Sequence, residues 1–342
     1  MTGGRVPVDG QGTANGQVPA DGRVATDGRV ATDGRVQVPV DDGATTGGGL
    51  LVIGDVVTDV VARHGTALVH GTDTSARIRT LPGGAGANVA CWAARSGCAD
   101  VRLLARVGAD SADWHRDALR RAGVRSLLAV DEEAPTATVV ALVDSAAERT
   151  FLTDSGAVLR LSPDDWSPSM LDGVAHLHLS GYLLFAATSR ATALLALREA
   201  RSRRIPVSVD PASAGFLAEL GADRFLAAVE SADLLLPNAD EARLLTGLPE
   251  PADAAAKLSL QVGRVVVTLG ERGALLAAAG TVTGRIPAVQ VRGAVDSTGA
   301  GDAFTGGFLA ARLAGADAAS AAAAGCRAGA EAVTTVGGRP GP

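Results

Sequence analysis

Asp296-Ser297-Thr298-Gly299-Ala300-Gly301-Asp302 runs directly into Ala303-Phe304-Thr305-Gly306-Gly307-Phe308-Leu309. The second stretch is apolar and reads as a helix. The first puts small residues where that helix must begin. Small side chains at 299–301 leave backbone amides open at a helix N-terminus. Such an end carries partial positive charge and unpaired N–H donors, which suits a phosphate. Asp302 falls in the first helical turn. A carboxylate beside an anion site is an odd choice for binding alone. It suits a base that takes a proton from an attacking hydroxyl. The competing reading of the bare motif is a glycine turn with Asp302 stabilising the helix start.

Working outward, the chain alternates short apolar runs with helical stretches. Runs at 50–54, 101–105, 175–179, 206–210, 234–236 and 265–269 read as strands. Stretches at 86–96, 111–122, 189–203, from 239, 301–314 and 316–332 read as helices, with Ser111 as an N-cap. Continuous apolar strands between helices predict an α/β fold. Its mostly parallel central sheet is covered on both faces, giving a three-layer sandwich. Two regions break the alternation. Residues 76–81 and 136–153 read as strands without intervening helices, the latter rich in β-branched residues with a turn at 145–148. They predict a small β-sheet lid with strands within about 60–82 and 134–155. The alternative is extra edge strands on the main sheet.

Composition narrows the function. The chain has 342 residues, 47% hydrophobic and 20% charged, with a formal net charge of −6. A nucleic-acid partner is not expected, because such proteins usually show a basic face. No apolar run is long enough for a membrane helix, and the start lacks a signal-peptide layout, so a cytoplasmic protein is expected. Cys91, Cys98 and Cys326 are too few for a disulfide framework and contain no CxxC pair. Lys257 is the single lysine and lies outside any GxxxxGK[ST] pattern, which excludes a P-loop. Residues 1–46 repeat Asp-Gly-Arg-Val at 21–24, 27–30 and 33–36 without large apolar anchors. They are expected to form a disordered low-complexity tail. The domain proper would be 47–342.

A second glycine cluster, Gly83-Gly84-Ala85-Gly86-Ala87-Asn88, also leads into a helix. It fails the dinucleotide fingerprint, because Val89 stands where the third glycine belongs. It fits a loop approached by a polar ligand, with Asn88 offering both donor and acceptor. Asp55 and Asp59 follow the first strand, where parallel sheets bind ligands. Asn238 and Glu241 are three apart at a helix start. That spacing suits oxygens ordering water around Mg²⁺, and equally a capping box. His176 and His178 alternate in a strand and share a face, as a core pair or a metal pair. Tyr182 and Phe185 line a pocket or pack in the core.

Taken in order, these segments resemble the ribokinase-like (PfkB) carbohydrate kinase family across residues 48–340. The resemblance rests on 83–88, 238–241, Val267-Thr268-Leu269-Gly270-Glu271-Arg272-Gly273 and 296–302. It implies a ribokinase-like sandwich with a β lid and ATP-dependent phosphorylation of a hydroxymethyl group, on a ribose- or hexose-type acceptor before a nucleoside or keto-sugar acid. It implies Asp302 as catalytic base and Gly299, Ala300 and Gly301 as the anion hole. Asp59, Gly83, Gly84 and Asn88 would hold the substrate. Asn238 and Glu241 would sit near the phosphates, Glu241 reaching Mg²⁺ through water. Thr268, Gly270 and Gly273 would lie along ATP. Asp296 matches an acidic ligand of a monovalent cation such as K⁺. The lid would offer a homodimer contact.

The chain departs from that pattern at several places. Val57 and Val158 stand where polar residues are frequent, no Arg follows 210–212 closely, and residues 339–342 carry no hydroxyl. An aromatic content of 3% speaks against a base held in an aromatic slot. A non-catalytic sugar-binding homologue would not need Asp302 together with its anion loop. A nicotinamide dehydrogenase fails on glycine spacing.

Overall fold

The computed structural model describes residues 47–145 and 149–341. The expected tail at 1–46, and most of the turn at 145–148, lie outside the described residues. Among those described, the strands are β1 (Gly49–Ile53), β2 (Val57–His64), β3 (Ala76–Gly83), β4 (Val101–Gly108), β5 (Val124–Asp131), β6 (Ala137–Val143), β7 (Arg149–Asp154), β8 (Val174–Ser180), β9 (Val207–Asp210), β10 (Leu234–Leu235), β11 (Arg264–Thr268), β12 (Ala274–Ala278) and β13 (Thr281–Ile286). The helices are α1 (Ala85–Arg95), α2 (Ala112–Arg121), α3 (Ala187–Ser202), α4 (Ala214–Leu220), α5 (Ala222–Val229), α6 (Ala239–Thr246), α7 (Pro251–Leu258), α8 (Ala300–Leu313) and α9 (Ala318–Ala332).

Nine strands form the main sheet in the order β13-β12-β11-β10-β9-β8-β1-β4-β5. From β11 to β5 every pairing is parallel; β12 and β13 add an antiparallel edge. All five residues of β1 are buried. Leu51 and Ile53 pack with Leu197 of α3, Phe225 of α5 and Leu258 of α7. Leu50 and Val52 pack on the other face with Val89 of α1, Phe308 of α8 and Cys326 of α9. Successive side chains of a strand point to opposite faces, so a strand covered on both must be apolar throughout. That is why its run of apolar residues was legible. The interior position of β1 in the sheet is consistent with it.

The second sheet, β3-β2-β6-β7, is separate. Its strands match the expected lid, and the edge-strand alternative for 76–81 and 136–153 does not hold. One boundary differs. The chain leaves the main sheet after Ile53 and enters the lid at Val57, so Asp59 sits on a lid strand rather than at the end of the first strand. β2 pairs with β6 in parallel and with β3 antiparallel. The crossing from β5 to β6 is fixed by Asp131. Its buried carboxylate accepts from the Ala134 and Glu133 amides at 2.9 and 3.0 Å, and pairs with Arg106 and Arg160 at 2.9 and 2.8 Å. Ser111 does occupy the N-cap position of α2 but its side chain does not cap it; the hydroxyl bonds Thr136 at 2.7 Å instead.

Candidate active site

α8 begins at Ala300, with Gly299 as its N-cap in a left-handed conformation (φ +73°) and no side chain capping the start. The Ala300 amide donates to the Ser297 carbonyl at 3.3 Å, so the following first-turn amides are the ones a ligand could take. An added Cβ on Gly299 would meet the Gly338 Cα at 2.4 Å, so position 299 needs glycine both for its conformation and for this close approach. At Gly301 nothing lies within 4 Å of an added Cβ. Its face is open space.

Two large cavities meet at this helix start. The first, about 370 Å³, reaches Thr298, Gly299 and Asp302 from the lid side, and also touches Asp59, Gly84 and Asn88. The second, about 340 Å³, reaches Ala300 and Gly301 from the other side, and is lined by Thr268, Gly270 and Gly273. A polar cavity of about 90 Å³ joins them, bounded by Asp210, Asn238, Glu241, Gly301 and Asp302. Thus 299–302 form a wall shared by two chambers.

Asp302 accepts a hydrogen bond from Asn88 Nδ2 at 2.8 Å through Oδ2. Burial pushes its carboxyl up to about 8; the Asn88 bond opposes this, and the charges of Asp210, Asp55 and Asp59 add to it. A carboxyl so placed readily holds a proton taken from a neighbouring hydroxyl. Asn88 Oδ1 is buried without a protein partner, leaving an acceptor for a ligand.

Asp59 packs against Gly83, where an added Cβ would meet its Oδ2 at 2.0 Å. Gly83 therefore sits behind Asp59 and is not among the residues lining the cavity, while Gly84 is. Burial raises the Asp59 carboxyl to about 7; Arg339 pulls it down, and Asp55 and Asp296 push it up. Arg339 donates to the Gly83 carbonyl at 3.0 Å, and its Nε and Nη1 are buried without partners. Asp55 is an anchor: it accepts from the Ala85 and Gly86 amides at 2.7 and 3.1 Å and from Ser180 Oγ at 2.9 Å. It ties the end of β8 to the start of α1.

Asn238 and Glu241 do form the capping box. The Asn238 side chain accepts from the Asp240 and Glu241 amides at 2.9 Å, and Glu241 Oε2 accepts from the Asn238 amide at 2.8 Å. The same residues border the small polar cavity, so the local and the functional reading are compatible. Burial raises both Glu241 and Asp210, and each acid also meets the charge of a neighbouring carboxylate. Three acids around one polar space suit a hydrated divalent cation that brings its own waters and shares phosphate oxygens. Among the described residues, no group of three His, Cys, Asp or Glu is placed to ligate a metal directly. Asp296 accepts from the Thr298 amide and hydroxyl at 3.0 and 2.7 Å and from the Gly337 amide at 3.1 Å. It clips the loop before α8 to the end of the chain.

A pfkB family carbohydrate kinase model matches residues 49–342. The chain belongs to the pfkB family of carbohydrate kinases. It is a phosphotransferase with an alcohol group as acceptor, of the sugar and nucleoside kinase kind. The fructokinase of Klebsiella pneumoniae is 33% identical over 272 residues, covering 77% of this chain and 84% of its own. The ribokinase of Thermotoga maritima superposes with a TM-score of 0.73 at 26% identity, covering 85% of this chain and 94% of its own. An Escherichia coli protein named as a ribokinase II, solved in complex with ATP and Mg²⁺, gives 0.75 at 25%, over 85% and 94%.

Several residues of this kinase escaped sequence reading. Asp210 ends a buried strand, and only the fold brings it to Asp302. Arg339 lies 280 positions from Asp59, with no local pattern to join them. The paired histidines do share a face, and both bond Ser208 Oγ, at 2.8 Å from His176 and 2.9 Å from His178. Burial pushes them down to about 4 and about 3, so they are neutral core residues. The three cysteines are free, and burial raises each thiol.

Proposed function

We propose that this kinase moves the γ-phosphoryl group of ATP to a hydroxymethyl group of a sugar-like acceptor, with Asp302 as general base. The observation that carries it is the shared wall: two chambers of similar size lie on either side of the first turn of α8, joined by the small polar cavity beside Asp302. ATP would lie along Thr268, Gly270 and Gly273, its terminal phosphate at the amides after Gly299. The acceptor would lie on Asp59, Gly84 and Asn88, with Gly83 behind Asp59. Asn88 engages Asp302 Oδ2, which leaves Oδ1 for the acceptor hydroxyl. The hydroxyl proton passes to Asp302, the oxygen bonds the γ-phosphorus, the bond to the bridging oxygen breaks, and ADP leaves. Glu241 with Asp210, supported by Asn238, would hold hydrated Mg²⁺, which supplies charge neutralisation to the phosphates.

A monovalent cation such as K⁺ near Asp296 belongs to the same reading. Turnover unchanged when choline replaces K⁺ would remove it. A cytoplasmic site, where ATP is abundant, also belongs to it; among the described residues no helix is long and apolar enough to cross a membrane. So does pairing of two copies through the lid, whose edge strands carry exposed Ile78 and Phe151. A monomer mass by light scattering at micromolar concentration would contradict that. The reaction itself is tested by ATP consumption across sugars, nucleosides and sugar acids, with products read by mass. One acceptor gaining a single phosphate supports the reading. ATP bound but never transferred to any acceptor would overturn it.

A further inference from the structure

The acceptor chamber is built for more than a sugar. Its floor carries the polar groups already described: Asp59, Asn88 and Asp302. Another part of its lining is apolar and aromatic. Tyr182, Phe185 and Phe216 line it and touch one another, Phe185 stacking on Phe216 with centroids 5.0 Å apart and Tyr182 edge-on to Phe216 at 5.5 Å. Phe151 of β7 lines it from the lid and is 52% exposed. The chain has six Phe, three Trp and one Tyr, and four of these ten rings line this one cavity. Scarce aromatic residues are therefore concentrated at the acceptor site, which reverses the expectation drawn from composition.

The two departures noted in the sequence fall in the same place. Val57 and Val158 both line the chamber, and both are buried. Each puts a hydrocarbon where a free sugar would present hydroxyls. A polyhydroxylated ring pressed there would lose hydrogen bonds to water and gain none, which an apolar wall penalises. A flat aromatic ring that turns its face to that wall and keeps its polar edge for water or protein groups would lose little and would gain contact with aromatic faces.

We infer that the acceptor is an alcohol of the nucleoside class: a sugar whose hydroxymethyl group meets Asp302 and whose attached aromatic ring lies among Phe151, Tyr182, Phe185 and Phe216. This rests on the kinase reading for its chemistry, though its binding half does not. The phosphoryl transfer is the one written above, with the sugar hydroxyl of the nucleoside as acceptor. The lid closes the chamber from above, so its Phe151 ring would be covered by the bound aromatic ring.

The test has two readouts on the full chain. Titration calorimetry without ATP compares adenosine and uridine with ribose and fructose. At least one nucleoside should bind at least about tenfold tighter than either free sugar. Turnover with ATP then compares kcat/KM for the same compounds. Val57→Asn should narrow the ratio, and Phe216→Ala should cost the nucleoside more than the sugar. Ribose or fructose binding as tightly as the nucleosides, or none of the four binding, overturns the inference. Free sugars phosphorylated with the higher kcat/KM also overturn it, while the kinase reading stands. Nucleosides bound tightly but never phosphorylated, with no acceptor found, leave the chamber assignment intact and remove the kinase reading instead.

Discussion

Asp302 sits where burial and three neighbouring acids favour its proton, yet the proposed base must be ionised to act. The consequence is a pH dependence with a defined sign. A raised carboxyl gains its base form only as pH climbs, so kcat/KM should rise through pH about 8, the free kinase's Asp302 value. A profile flat from pH 6 to 9 would contradict the assignment. Arg339 offers a second residue-scale test. Its charge lowers the carboxyl of Asp59, which burial has raised to about 7. Arg339→Met should raise Asp59 further, increasing the acceptor KM several-fold at pH 7 with partial recovery at pH 9. An unchanged KM profile would leave Arg339 a purely structural clip. At this scale the sequence revealed what local pattern can encode. Small residues before an apolar helix mark the start of α8, which no side chain caps. Asp210 and Arg339 were hidden because their partners come from distant parts of the chain. Tyr182 and Phe185 were legible as a pocket or core pair, whereas Phe151 and Phe216, which join them along the same cavity, come from distant parts of the chain.

At the scale of elements, strands buried on both faces were legible because they are apolar throughout. Others were not. Ala-rich β12 lacks the β-branched residues that mark a strand, and β13 is an edge strand with alternating exposure. β5 carries a polar Arg and Ser in its first half and so broke the apolar run. β2 was misjudged because it follows β1 after only three residues and reads as a loop of acids and β-branched residues. The β5–β6 crossing is one of the lid's connections to the main sheet, and Asp131 holds it together with Asp110, which accepts from the Thr136 amide and hydroxyl at 2.9 and 3.0 Å. Removing the Asp131 carboxylate leaves the Ala134 and Glu133 amides without their acceptor and takes one of two carboxylate partners from each guanidinium, since Arg106 keeps Asp165 and Arg160 keeps Glu133. Asp131→Ala should lower stability by about 2 kcal/mol, chiefly from the two amides that lose their charged acceptor. Urea unfolding measures it, and a loss under about 1 kcal/mol would mean that the crossing is held otherwise.

For the whole molecule, the acids that make the site also destabilise it. Asp302 is raised from 3.8 to about 8, so the folded state holds its proton more tightly than the unfolded chain does. The stability this confers is present below pH about 4 and is lost as pH rises through about 8. Asp302→Asn removes that loss. It should raise Tm by about 2–4 °C at pH 8 and by almost nothing at pH 4, given about 1 kcal/mol recovered. A Tm lowered at pH 8 would show that the carboxylate is stabilised by contacts instead. The buried histidines act the other way. Their lowered values mean that stability falls as pH drops from about 6.5 toward 4.

The arrangement of two chambers around one helix start makes Asp302 the hinge of the account. The most direct measurement is turnover of the wild-type kinase and Asp302→Asn under saturating ATP and acceptor, with ATP affinity measured on both. If Asp302 is the base, the variant loses at least about 10²-fold in kcat while ATP affinity stays within a few-fold. Near-wild-type turnover in the variant would contradict that role.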